Sequence, residues 1–173
     1  MTTAYGREIQ CYEYINHPYA QVREAIKEDA LAVFQSATQA AASRAGSIAS
    51  ELRVSAGGIR LEADIRITVK SVEERYSEAL AAQVTHIQLE WEAATLPRLF
   101  PLMKAEISLY ALTATETQLD FSGCCEPPLG VLGSAANAII GHRIAEVSVH
   151  GFVSAVAEYL RHTQPLAGVT RQP

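Results

Sequence analysis

Apolar and polar residues alternate with a period of two through several stretches of this chain, then with a period near 3.6 through its last part. From Ile59 to Val69, the residues Leu61, Ala63, Ile65, Ile67 and Val69 fall on one side. Arg60, Glu62, Asp64, Arg66 and Lys70 fall on the other, the pattern of a β-strand with one wet face. The run from Ala82 to Ala93 repeats it, with Ile87, Leu89, Trp91 and Ala93 inward and His86, Gln88, Glu90 and Glu92 outward. Leu102 to Thr113 and Thr117 to Glu126 are two more strands joined by a short polar turn, and Leu119, Phe121, Gly123 and Cys125 share a face of the second. Ile9 to Ile15 is a β-rich first strand. Glu51 to Ala56 pairs with the strand from Ile59 through Gly57-Gly58, whose positive φ angles suit a tight hairpin turn. Val72 to Tyr76 reads as a further short strand.

Helices are marked by their ends. Asn16 or His17 caps a first helix over Ala20 to Lys27, with Pro18 at the helix start where its missing N–H costs nothing. Asp29 caps a second through the Ala-rich stretch to about Ala45, and Gly46 ends it. Pro127-Pro128 stops the sheet, and a Gly-containing bridge leads into a long helix from Ser134 to about Arg161. On that helix Ala138, Val149, Val153, Val156 and Leu160 form one apolar stripe, which lays it across the sheet.

The elements add up to an α+β fold, in which a curved antiparallel sheet, wet on its convex side, wraps around one long C-terminal helix, with two small helices after the first strand. Residues 1–163 make a single domain and 164–173 a loose tail. A sheet curled against one helix covers its middle well and its end poorly, so an apolar cavity between them is expected.

Composition narrows the function. The chain has 173 residues, 49% of them hydrophobic and 19% charged, which suits a folded domain with a sizeable core. A net charge of −5 argues against a nucleic-acid groove or a polybasic membrane surface. No run approaches about eighteen apolar residues, so no membrane span is expected. The opening residues lack an apolar signal core, and a cytoplasmic protein is expected. Three cysteines, Cys11, Cys124 and Cys125, show no CxxC spacing and read as buried or half-buried thiols. As strand neighbours, Cys124 and Cys125 face opposite ways and are poorly placed to pair.

Several segments together resemble the START-like, helix-grip superfamily, also called SRPBCC, which includes polyketide cyclases, lipid carriers and plant hormone receptors. These are Leu89-Glu90-Trp91-Glu92-Ala93, Leu99 to Glu106, Thr117-Gln118-Leu119, Ser122-Gly123, Pro127-Pro128-Leu129-Gly130 with Gly133, and His142-Arg143-Ile144-Ala145-Glu146. The likeness runs from Tyr12 to Leu160 and is strongest for a bacterial branch of mostly unassigned activity. It implies a fold more than a chemistry, because this fold hosts carriers, receptors and enzymes alike. The chain departs from that branch at Cys125, where an aromatic is usual before the double proline, and at Asn137, where an aspartate is usual early in the last helix.

The expected function is binding of a small, mostly apolar, lipid- or polyketide-like molecule between sheet and helix. The expected lining residues are Leu89, Trp91, Ile107, Phe121, His142 and Val149. The alternative is a cyclase or dehydratase, with His142 as acid or base and Glu146, one turn away, orienting it. His142, Glu146 and His150 follow each other at i, i+4 spacing, but the two histidines lie about 12 Å apart along the axis and cannot share an ion, so no metal is expected. A structural histidine is the plainer reading. His86 falls on the wet side of its strand and reads as solvated, while His17 and His162 suit helix ends. Tyr12 and Tyr14 share a strand face from which a hydroxyl can enter a cavity; Tyr110 falls outside. No phosphate-binding loop, nucleophile elbow or zinc spacing is present, and no cofactor is expected. Ile140, Ile144 and Val147, with Gly151, form a second apolar stripe on the last helix. A homodimer through that stripe, a neighbouring small helix or the Pro-Pro loop would cover it, and a structural homodimer without ligand is the third reading.

Overall fold

The strands β1 (Arg7–Ile15), β2 (Ile65–Ser77), β3 (Ala82–Ala93), β4 (Leu102–Ala111) and β5 (Thr117–Glu126) pair antiparallel throughout, in the order β1-β5-β4-β3-β2. The computed structural model describes residues 7–28, 30, 32–35, 37, 65–93, 102–126 and 135–163. Residues 19–28 form helix α1, and 30, 32–35 and 37 are also helical. Helix α2 spans Ala135–Thr163. The α+β arrangement of an antiparallel sheet with a long C-terminal helix is therefore the one expected. The expected strand at Glu51 to Ala56, the Gly57-Gly58 turn and the Asp29 cap lie outside the described residues.

One expectation fails on β2. Val72 to Tyr76 is not a separate strand but the continuation of β2, because a β-bulge at Lys70 shifts the register from Val69 opposite Leu89 to Ser71 opposite Gln88 and Val72 opposite Ile87. The extra residue reverses the parity, so that Val72, Glu74 and Tyr76 take over the side held by Ile67 and Val69. Beyond it, four residues turn the chain into β3, and Ala81 completes the turn with φ of 49°. β4 stops at Ala111, two residues before the expected end. There Leu112 and Thr113 donate their N–H groups to the carbonyl of Glu116 at 2.9 and 3.2 Å and form the β4–β5 turn.

Inward residues of the five strands meet α1 and α2 in one apolar cluster. Ile15, Ile87, Ile107, Leu109, Leu119 and Phe121 come from the sheet, Val22 and Ile26 from α1. From α2 come the expected stripe residues Val149, Val153, Val156 and Leu160, widened by Phe152 and Ala157. Phe152 stacks on Phe34, with ring centroids 6.0 Å apart and planes at 21°. Each such side chain contributes about 1.5–3 kcal/mol by leaving water.

Polar groups fix how the helices sit on the sheet. Tyr19 of α1 hydrogen-bonds Thr85 of β3 at 2.7 Å, and Lys27 pairs with Glu74 of β2 at 2.5 Å. His17, buried between β1 and α1, donates from Nε2 to the carbonyl of Arg161 in the last turn of α2 at 3.0 Å, and accepts from Thr117 at its own carbonyl. This histidine does sit at a helix end, but at that of α2, as a buried cap for a terminal carbonyl.

Candidate functional site

The inner face of the sheet is a ladder of cross-strand rows. Nearest the β4–β5 turn, Leu119 and Leu109 stand side by side with Thr85 next in the row, all with no exposed surface. Cys11, Phe121, Ile107 and Ile87 form the next row, then Ile9, Gly123, Ala105, Leu89 and Val69. Met103 and Ile67 belong to the last described row. Burial slackens along this ladder: Ile9, Leu89, Met103 and Ala105 keep 3–5% of their surface, and Cys11, Ile67 and Val69 are half-buried. The described floor is thus closed most tightly by α1 and the last turns of α2, and its half-buried members Cys11, Ile67 and Val69 stand on β1 and β2, the outermost described strands.

Of the expected lining residues, Leu89, Ile107, Phe121 and Val149 are brought together in the single apolar cluster. Trp91 is placed by its backbone in the last row, opposite Met103 and Ile67, but its side chain lies outside the described residues, as do those of His142, Ile140, Ile144, Val147, Asn137 and Cys125. Glu146 and His150 are exposed, and Gly151 is buried.

Residues that sequence reasoning missed are Cys11, Ile67, Val69, Met103 and Ala105, which line the slackened half. Gly123 belongs with them. A Cβ there would lie 2.8 Å from Phe121 Cε1 and 3.1 Å from Met103 Sδ, so its absence lets the Phe121 ring lie against the strand. The thiol of Cys11 is pushed up to about 11 by burial, with the charges of Glu13 and Asp120 adding to the effect, and it presents a neutral S–H to the floor. Beside it, Glu13 accepts from Ser154 at 2.7 Å and from Arg161 at 3.0 Å, both on α2, so the one carboxylate on the inward side of β1 is already neutralised by the helix.

Three expectations about the outer face are corrected. Tyr12 and Tyr14 do not turn toward a cavity: they are 62% and 42% exposed on the side opposite Ile9, Cys11 and Ile15, because β1 faces its odd-numbered residues inward. His86 is on the outer side as expected but is not merely solvated. Its Nδ1–H donates to Glu106 Oε1 at 2.9 Å, Ser108 donates to the same oxygen at 3.1 Å, and Gln88 donates to Glu106 Oε2. Burial pushes the Glu106 carboxyl up, but the bonds from His86 and Ser108 outweigh it and hold the group below its ordinary range. Cys124 is exposed rather than buried, and Cys11 is half-buried as expected. Tyr110 is outside, as expected, with its hydroxyl on Asp120 at 2.8 Å.

No protein-family model matches the chain, and no curated protein matches it. Among solved structures it is similar to the Zhui aromatase/cyclase from a Streptomyces species, at 12% identity and a TM-score of 0.49, over 94% of this chain and 98% of that one. It is also similar to a START superfamily protein from Mycobacterium smegmatis, at 10% identity and a TM-score of 0.46, over 92% of this chain and 100% of that one. The likeness is one of outline, and the chemistry rests on this chain's own residues.

Proposed function

We propose that the protein holds a small, mostly apolar molecule against the slackened half of the inner sheet face, under the N-terminal part of α2. The observation that carries this reading is the change along the ladder, from Leu109 and Leu119 with no exposed surface to Ile9, Leu89, Met103 and Ala105 at 3–5%, with half-buried Ile67 and Val69 beside them on β2. A floor of Ile9, Ala105, Leu89, Met103 and a protonated Cys11 offers contact area and no fixed charge. Affinity then comes from apolar burial at about 25 cal/mol per Å². The resemblance to START-like proteins supports the same class of ligand. Binding is favoured over catalysis by His142 and Glu146 because Glu146 points to solvent, away from a role in orienting a cavity base.

The test is titration with a neutral solvatochromic dye such as Nile red. Saturable uptake at one site per chain is expected, together with its loss in Ala105→Phe, which fills the floor. Absence of saturable uptake by the folded wild type defeats the proposal.

A further inference from the structure

The outer face of the sheet carries a second feature, independent of the inner floor. A sheet face turned to water is expected to show short polar and charged side chains. The row Gln10, Ser122, Glu106 and Gln88 across β1, β5, β4 and β3 does so. Toward the C-terminal end of β1 the pattern changes. Tyr12 and Tyr14 stand open, their rings edge to face with centroids 5.5 Å apart and planes at 63°. Asp120 lies directly across from Tyr12, and Gln118 directly across from Tyr14. That carboxylate is anchored at both oxygens: Tyr110 Oη donates to Oδ2 at 2.8 Å and Gln118 Nε2 donates to Oδ1 at 2.6 Å. Each oxygen keeps a further lone pair. A fixed anion with acceptor capacity to spare therefore sits beside two exposed aromatic faces.

These parts match the chemistry of a guanidinium group. A planar cation lies against a tyrosine ring through its π-face and pairs through two N–H groups with a carboxylate. The charge around the site has the complementary sign, since Glu106 lies one outer row away on β4 and the whole chain carries −5, while Lys104 and Glu8 share the row beyond. Among the described residues, Arg161, which bonds the Tyr14 carbonyl, is already paired with Glu13. We infer that Tyr12, Tyr14, Tyr110, Gln118 and Asp120 form a docking surface for an arginine-bearing basic segment of a partner protein.

The test uses the full chain, isotopically labelled, at about 150 mM ionic strength so that exposed charges are screened. It is titrated with the peptide acetyl-Gly-Arg-Gly-Arg-Gly-amide and with its lysine counterpart. Saturable NMR shifts are expected at the amides of Tyr12, Tyr14, Gln118 and Asp120, with the arginine peptide tighter by about threefold or more. Tyr12→Ser with Tyr14→Ser, and separately Asp120→Asn, should each weaken binding by about fivefold or more. Asp120→Asn keeps one acceptor oxygen for Tyr110 and so guards against a folding artefact. Shifts that never saturate, arginine and lysine peptides of equal affinity, or variants that bind like the wild type overturn the proposal. So does a sedimenting dimer that the tyrosine substitutions dissolve, which would assign the face to a second copy of the chain.

Discussion

Arg161, in the last turn of α2, donates from Nε to the carbonyl of Tyr14 at 2.9 Å and from Nη2 to Glu13 Oε2 at 3.0 Å, tying the end of the helix to β1. Among the described strands β1 is terminal in the sheet order, and an edge carbonyl covered by an arginine is withdrawn from pairing with another chain. His17 holds the same turn from the other side through the Arg161 carbonyl. Arg161→Met should therefore lower unfolding free energy by about 1–2 kcal/mol in urea titrations, since the pair is about a third exposed and partly screened. Adding Glu13→Gln should recover part of the loss, because the single variant leaves a carboxylate facing the core cluster without its cation. Equal stability of Arg161→Met and the wild type would show that the tie is ornamental.

The same carboxylate sets a pH dependence. Burial pushes Glu13 up, but the hydrogen bonds from Ser154 and Arg161 prevail and hold it below the usual carboxylate range. A group whose native pKa is depressed binds its proton more readily in the unfolded chain, so unfolding takes up a proton as pH falls. Its contribution is complete above the unfolded value of about 4.3 and is lost as pH drops through the native value. The Glu13 contribution to stability should be constant from about pH 7 to 5 and fall below about 4.5. Glu13→Gln should fall less steeply over the lower window, as read from urea midpoints at each pH.

Ala81 gives a third expectation, of opposite sign. Its φ of 49° places an L-residue with a Cβ in the left-handed region at the β2–β3 turn, where it donates to the Glu78 carbonyl at 3.3 Å. Glycine adopts that conformation without the steric cost, although it loses more freedom on folding. Ala81→Gly should raise stability by about 0.5–1 kcal/mol, seen as a higher urea midpoint with an unchanged slope.

Strands with unbroken alternation could be read from the chain directly: β3 and β5 occupy the expected ranges, and α2, described from Ala135, runs two residues past Arg161. What could not be read depends on partners distant in sequence. The bulge at Lys70 flips the inward parity between Val69 and Val72, and a single strand then looks like two. On β1, Glu13 stands among inward residues and obscures which side is core. Its neutralising partners, Ser154 and Arg161, come 141 and 148 residues later. The outward position of His86 followed from alternation, but its bond to Glu106 requires the β3–β4 register, which pairs His86 with Ser108 and Gln88 with Glu106. For the inner floor, alternation supplied Leu89, Ile107 and Phe121. The slack around Cys11 and Val69 follows their places on β1 and β2, the outermost described strands, and strand order is nothing a local pattern records.

Gly123 links packing to the proposed floor. With a Cβ that would stand 2.8 Å from a carbon of the Phe121 ring, Gly123→Ala forces a rigid, buried aromatic to move. A loss of about 1–3 kcal/mol is expected, together with weaker dye uptake, because Phe121 and Met103 both shift on the floor. Unchanged uptake in a destabilised but folded variant would place the ligand away from β5.

Cys11 provides the sharpest probe of the inner floor because it reports from inside without adding a group. In a Cys124→Ser, Cys125→Ser background it is the sole thiol of the chain. Burial, with Glu13 and Asp120 nearby, pushes it up to about 11, so at neutral pH its reactive thiolate is scarce. Iodoacetamide should modify it about two orders of magnitude more slowly than a free thiol. The rate should fall again when Nile red saturates the protein, since an apolar guest on the row shared by Cys11 and Phe121 blocks the remaining access. Rapid alkylation of the native chain would contradict the burial of this row. Saturation by the dye with no change in the Cys11 rate would move the guest off the β1 side of the sheet, and the proposed site with it.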